Sequence, residues 1–207
     1  PLFLTGNEVL WPTALKMIMS EDDSVHIVWA VADETGNSRQ VFYASLPYGQ
    51  TDWSSPVVLA EAIDFEADTP NIVAFDGRLI VVLHNDFPTT RYMTVSSDNG
   101  VTWSPPVRLF SQVGSNGPAS FVIDGSNNLH MFFGNRDDTL HEHGIWHSIW
   151  LGEGWSTPMA VVSGPQVLGG ENGEEGFDPS FVQAVISQGN LLLLTWRQDP
   201  MAGPTHI

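Results

Sequence analysis

The chain has 207 residues, 42% of them hydrophobic and 15% charged, which supplies a sizeable core and excludes a disordered chain. A formal charge of −17 excludes nucleic acid and anionic membrane surfaces as partners, because such a surface repels phosphate instead of releasing its counterions. With no cysteine and no apolar run of about eighteen residues, disulfide frameworks, thiolate chemistry and helical membrane insertion are excluded as well.

Eleven Phe, eight Trp, nineteen Gly and fourteen Pro, among short apolar runs, predict many short strands joined by tight turns. The strands fall into repeats, here lettered a to d. Residues 1–10, with Pro1-Leu2-Phe3-Leu4, read as a strand d from a preceding or closing blade. The first full repeat spans about 12–59. Pro12-Thr13-Ala14-Leu15 opens strand a, Val25–Trp29 is strand b, Gln40–Ser45 strand c, and Trp53-Ser54-Ser55-Pro56 leads into strand d. The second, about 70–109, has Pro70-Asn71-Ile72-Val73, then Leu79–Leu83, Arg91–Ser96 and Trp103-Ser104-Pro105-Pro106. The third, about 118–162, has Pro118-Ala119-Ser120-Phe121, Leu129–Phe133, Ile145–Ile149 and Trp155-Ser156-Thr157-Pro158. The fourth, about 179–207, has Pro179-Ser180-Phe181-Val182 and Leu191–Thr195, and stops where strand c should begin.

The Trp-Ser landmarks recur at intervals of 50 and 52 residues, and every strand b is apolar on both faces, as strands between stacked sheets must be. Four-stranded antiparallel sheets of this length packed radially are the blades of an all-β propeller, so 1–207 reads as one propeller domain with about four repeats present. Two arrangements account for the ends. Either the chain is cut from a longer propeller, or its first strand d closes the last blade; the unpaired apolar edge favours a native ring of five or six blades.

Between strands c and d of the second repeat stands Ser96-Ser97-Asp98-Asn99-Gly100-Val101-Thr102-Trp103. The Asp carboxylate can accept backbone N–H groups, Gly permits positive φ, and the Trp ring packs under the hairpin. This turn resembles the Asp box, or bacterial neuraminidase repeat, of the sialidase superfamily. Ser148-x-x-x-Gly152-x-x-Trp155 and Ser45-x-x-x-Gly49 with Trp53 read as worn copies. The resemblance implies a structural role for Ser96, Asp98, Gly100, Thr102 and Trp103, since Asp boxes lie on the face opposite the active site in that family.

In a propeller the b–c and d–a loops gather on one face, and that face predicts the ligand-binding candidates Arg39, Asp86, Arg91, Tyr92, Arg136, Asp137, Arg197 and Asp199. Arginine forks grip carboxylates or sugar hydroxyls and paired acids serve glycoside hydrolysis, whereas mutual Arg–Asp pairing would only order the loops. The resemblance further implies that a working sialidase needs three arginines, a Tyr–Glu nucleophile pair and an acid–base Asp. The Arg-Ile-Pro segment of that family is absent here, and Tyr92 has no evident Glu partner, so the catalytic residues are left unassigned.

No cofactor or metal is expected. His141-Glu142-His143 reads as a solvated loop, and Ser163–Asp178 as a solvated acidic loop, with a lid or a calcium-binding rim as its alternatives. His26 and His130, at equivalent points of strand b, read as recurrent packing. The resulting expectation is a secreted or cell-surface propeller that binds a carbohydrate or glycoconjugate, as a glycan-recognition module or a glycosidase-like protein. Its alternatives are an exo-sialidase completed by blades outside this chain, and an assembly module with protein partners.

Overall fold

The computed structural model describes residues 11–32, 38–61, 67–86, 89–111, 113–114, 116–137, 142–165, 179–187 and 191–198. The regular structure among them is entirely β: no helix long and apolar enough to cross a membrane occurs there. β1 (Trp11–Met19), β2 (Val25–Ala32), β3 (Ser38–Leu46) and β4 (Val57–Glu61) form one sheet in the order β1-β2-β3-β4. β5 (Asp68–Phe75), β6 (Arg78–Asp86), β7 (Thr89–Ser96) and β8 (Val107–Leu109) form a second in the same pattern. β9 (Asn116–Ile123), β10 (Leu129–Asp137), β11 (Glu142–Ile149) and β12 (Met159–Pro165) form a third. β13 (Pro179–Ile186) pairs with β14 (Leu192–Gln198). Each sheet is an up-and-down meander, as the repeat requires. The strand d expected in residues 1–10 lies outside the described residues.

Two compact units divide the chain. β1 to Arg108, apart from Thr89–Arg91, make up the first, and Thr89–Arg91 with everything from Leu109 onward make up the second. In the first unit the period of two along a strand sorts the core. Val28 and Ala30 of β2, with Val41 and Tyr43 of β3, pack on Ile72, Leu79, Val81 and Leu83 of the second sheet. The intervening Ile27, Trp29, Val31, Phe42 and Ala44 cluster on the opposite face. A sheet buried on both sides is what the doubly apolar strand b predicted. In the second unit Phe132, Ile145, Val182 and Ala184 pack together with Trp196 against them. β14 differs: Leu193 is 59% exposed, and Leu192 38%.

The Pro landmarks sit at or just before a fault in the ladder: Pro70 and Pro118 fall inside it, while Pro12 and Pro179 are still paired, with Val31 and Gln198, shortly ahead of it. In all four repeats the pairing of strand a with strand b shifts register there, beside a residue of positive φ: Ala14, Thr69, Gly117 and Phe181. Proline lacks an N–H for the ladder, so Pro70 and Pro118 are tolerated in the bulge itself and Pro12 and Pro179 at the start of their strands.

The Trp-Ser landmarks have an equally local cause. Ser54 N donates to Ser45 O at 2.7 Å while Ser45 N donates to Ser54 Oγ at 2.9 Å. Ser104 with Val95 and Ser156 with Ile149 repeat this bracket, with side-chain bonds of 3.0 Å each. The serine hydroxyl stands in for a carbonyl and closes the c–d turn. These brackets correct the alignment of the worn copies. Ser148 Oγ donates to Ser156 O as Thr94 Oγ1 donates to Ser104 O, so Ser148 matches Thr94 and not Ser96.

Candidate functional site

The Asp box is built as its residues dictate. Ser96 Oγ donates to Asp98 Oδ1 at 2.8 Å and accepts from Gly100 N at 2.8 Å, and Thr102 N donates to Asp98 Oδ1 at 2.8 Å. Thr102 Oγ1 donates to Asp98 Oδ2, and these bonds, the Thr102 hydroxyl first, hold the Asp98 carboxyl down to about 2. Trp103 Nε1 donates to Gly100 O, and its ring meets Tyr43 edge-on at 4.9 Å. The carboxylate is spent on its own turn. Ser96, Asp98, Gly100, Thr102 and Trp103 are thus bonded to one another around this one turn.

The opposite end of the sheets, where strands b pass to strands c, is polar inside. The ladders run further than the apolar runs suggested: Asn135, Arg136 and Asp137 pair with Gly144, His143 and Glu142. Asp86, Arg136, Asp137 and Arg197 consequently belong to the ends of β6, β10 and β14, and Arg39 to β3, where b–c loops were expected, while Arg91 lies within β7. A ladder needs only backbone groups, so polar side chains do not stop it. His143, expected in a solvated loop, is instead a buried residue of β11. The side chains of Arg39, Asp86, Arg136 and Asp137, together with Asp199 and His141, lie outside the described residues, as do residues 166–178 of the expected rim.

Arg91 is the side chain that stands apart. It is 1% exposed, the bulkiest side chain so deeply buried. Nη2 donates to Gly134 O at 3.1 Å, and the guanidinium carbon lies 4.8 Å from the centre of the Phe133 ring, which stacks on Phe110. Nε and Nη1 have no partner among the described residues. Burial lowers its pKa to about 9, so it is still a cation at neutral pH. Around it, Asn135 and His143 are buried too. Gly134 admits no side chain, because a Cβ there would lie 2.6 Å from both Asn116 O and Pro179 O. Farther along the second unit the guanidinium of Arg197 sits 4.4 Å over the Phe181 ring, which the bulge of β13 turns outward to 44% exposure.

Tyr92 does not join this group. Successive residues of a strand face opposite sides, and Tyr92 packs against the core of the first unit. Residues that sequence reasoning passed over are Asn135 as a buried group and Phe181 as a ring under Arg197. The signal for the first was there, in an apolar strand b that turns polar at Gly134-Asn135. Among the described residues no group of three or more His, Cys, Asp or Glu is placed to hold a metal.

No protein-family model matches the sequence, and no curated protein matches it. Solved structures do. The chain is similar to an alpha-L-arabinanase of Penicillium chrysogenum complexed with arabinobiose, with a TM-score of 0.64 and 12% identity over 88% of this chain and 58% of that one. It is similar to a GH32 beta-fructofuranosidase of Bombyx mori, with a TM-score of 0.59 and 10% identity over 94% of this chain and 43% of the other. A third is the NanB sialidase of Streptococcus pneumoniae, with a TM-score of 0.60 and 10% identity over 92% of this chain and 27% of that chain. The chain thus spans less than two thirds of each. At such identities the likeness carries the fold alone: this is an all-β propeller of antiparallel four-stranded blades.

Proposed function

We propose that this propeller recognises a carboxylate-bearing carbohydrate at the end of the blades where strands b pass to strands c, as a glycan-recognition module or glycosidase-like protein. The observation that carries the reading is the buried guanidinium of Arg91, with Nε and Nη1 unmatched among the described residues. A cation taken out of water with two of its three nitrogens unmet is poorly compensated, and an anionic carboxylate accepting a charge-assisted hydrogen bond from one of them compensates it. Sugar as the bearer of that carboxylate is supported by the company of the fold. The arabinanase is described with arabinobiose, the fructofuranosidase with sucrose, and NanB is a sialidase. Arg197 on Phe181 adds a second guanidinium, half-buried on an aromatic face.

A second reading makes Arg91 an internal strut, favoured by its bond to Gly134 O and its place over Phe133. Arg91→Met separates the two. On the ligand reading the variant's melting temperature is unchanged or raised, since an unmet buried cation has been replaced by an apolar chain, and N-acetylneuraminic or glucuronic acid binding falls about 100-fold or more in calorimetry. On the strut reading the protein loses stability and neither form binds the acids. Wild-type protein that binds neither acid overturns the proposal. Release of the fluorophore from a fluorogenic sialoside by the wild type would point instead to hydrolysis.

A further inference from the structure

The turns at the Asp-box end of the first unit enclose a cleft of about 360 Å³, separate from the proposed sugar site. Three turns wall it: Ser20–Asp22 before β2, Asp76–Arg78 at the start of β6, and Ser97–Asn99 of the Asp box. Ala74, Phe75 and Leu79 give it an apolar side. Four carboxylates, those of Glu21, Asp22, Asp76 and Asp98, face one guanidinium, that of Arg78.

Two of the four hold the walls. Asp22 accepts from Ser20 Oγ and Ser24 N within its own turn, and its Oδ2 accepts from Asn99 Nδ2 at 2.9 Å, which ties the first wall to the third. Those bonds favour the charged form, as they do at Asp98. Glu21 and Asp76 are different: both are exposed, and neither has a hydrogen-bond or ion-pair partner among the described residues. The cleft therefore combines a braced frame, an apolar side and two uncommitted negative charges, in a chain whose net charge of −17 draws cations toward it.

We propose that the cleft binds a basic peptide segment of a partner protein. A lysine or arginine side chain lays its methylene stem along Phe75 and Ala74, which are partly exposed, and presents its cationic head to Glu21 and Asp76, the division of labour natural to these long side chains. An acidic or phosphorylated segment is repelled by the same charges.

The probe is a fluorescein-labelled Gly-Lys-Leu-Lys-Gly peptide, followed by fluorescence anisotropy at low salt, with Gly-Glu-Leu-Glu-Gly beside it. Saturable binding of the lysine peptide alone is expected, weakened about tenfold by Glu21→Lys and about threefold by Asp76→Asn. Glu153→Lys makes the same change of net charge on an exposed residue of the second unit, and its affinity should stay within about twofold of wild type. Circular dichroism melts establish that the variants fold. Absence of saturable binding, or an equal loss in Glu153→Lys and Glu21→Lys, overturns the proposal. Neither result bears on Arg91.

Discussion

Gly100→Ala tests the packing of the Asp box most sharply. Gly100 has φ of 87°, in the left-handed region, where a β-carbon costs about 1–2 kcal/mol. An added Cβ would also fall inside the hydroxyl of Tyr43 and 2.7 Å from its Cε1. Tyr43 has nowhere to retreat. It is 1% exposed, its hydroxyl is 2.8 Å from His26 Nδ1, and its ring lies between His26 and the edge of Trp103. Overpacking of this kind costs about 1–3 kcal/mol, and displacing the hydroxyl from His26 forfeits about 1 kcal/mol more. The total is about 4 kcal/mol, or roughly 8–16 °C in melting temperature for a domain of this size. Gly49→Ala is the control, since φ there is 75° and nothing lies within 4 Å of the added carbon. It should show only the backbone share, about 1–2 kcal/mol. Urea unfolding of both variants decides the matter. Equal losses would refute the claim that Tyr43 is locked against the box.

Removing the hydroxyl from Ser54, Ser104 or Ser156 should lower stability by about 1 kcal/mol each, because each leaves a strand-c N–H unbonded; unequal denaturation midpoints would break the equivalence of the three brackets. Asp98 has a folded pKa of about 2, below its ordinary value of about 3.9, so its contribution is present above about pH 4 and fades as pH falls toward 2. The excess melting temperature of wild type over Asp98→Asn should shrink across that window, and a constant excess would count against it. Burial lowers the pKa of both His26 and His147, the latter also through His130, so the folded state favours their neutral forms. The stability tied to them is present above about pH 6.5 and is lost on acidification. NMR titration should place both midpoints below that value, and a midpoint above it contradicts the burial.

Much of the fold was legible because it is local. Trp-Ser announces a bracket closed between residues nine or seven apart, and proline announces a bulge, so both landmarks survive as sequence without any long-range partner. The length of strand b was less legible. Apolar runs marked only the buried stretch, while β10 continues through Asn135-Arg136-Asp137 on backbone bonds that carry no compositional signature. Arg91 and Tyr92, neighbours within β7, are separated because one residue along a strand reverses the face. The burial of Arg91 was not legible at all, since it depends on Gly134 and Phe133 more than forty residues away.

The two histidines show how a repeat can conserve geometry while changing chemistry. His26 bonds Tyr43 and His130 bonds His147, each pair seventeen residues apart and each at 2.8 Å on adjacent strands. In the second repeat the corresponding residues are Ile80 and Met93, both buried. A polar pair or an apolar pair fits the same site because either leaves no group unmet, whereas a mixed pair would bury one donor without an acceptor. The same rule singles out Arg91. Asp98 spends its carboxylate within its own turn and Asp124 on its turn and His130, while His26 meets Tyr43 and His130 meets His147, but the most deeply buried cation keeps two nitrogens unmatched among the described residues. What sets Arg91 apart from Thr13, Thr69, Trp146 and Trp150, whose buried hydroxyls and indole N–H groups are also unmatched among the described residues, is its charge, since an unmet buried cation costs more than an unmet neutral group.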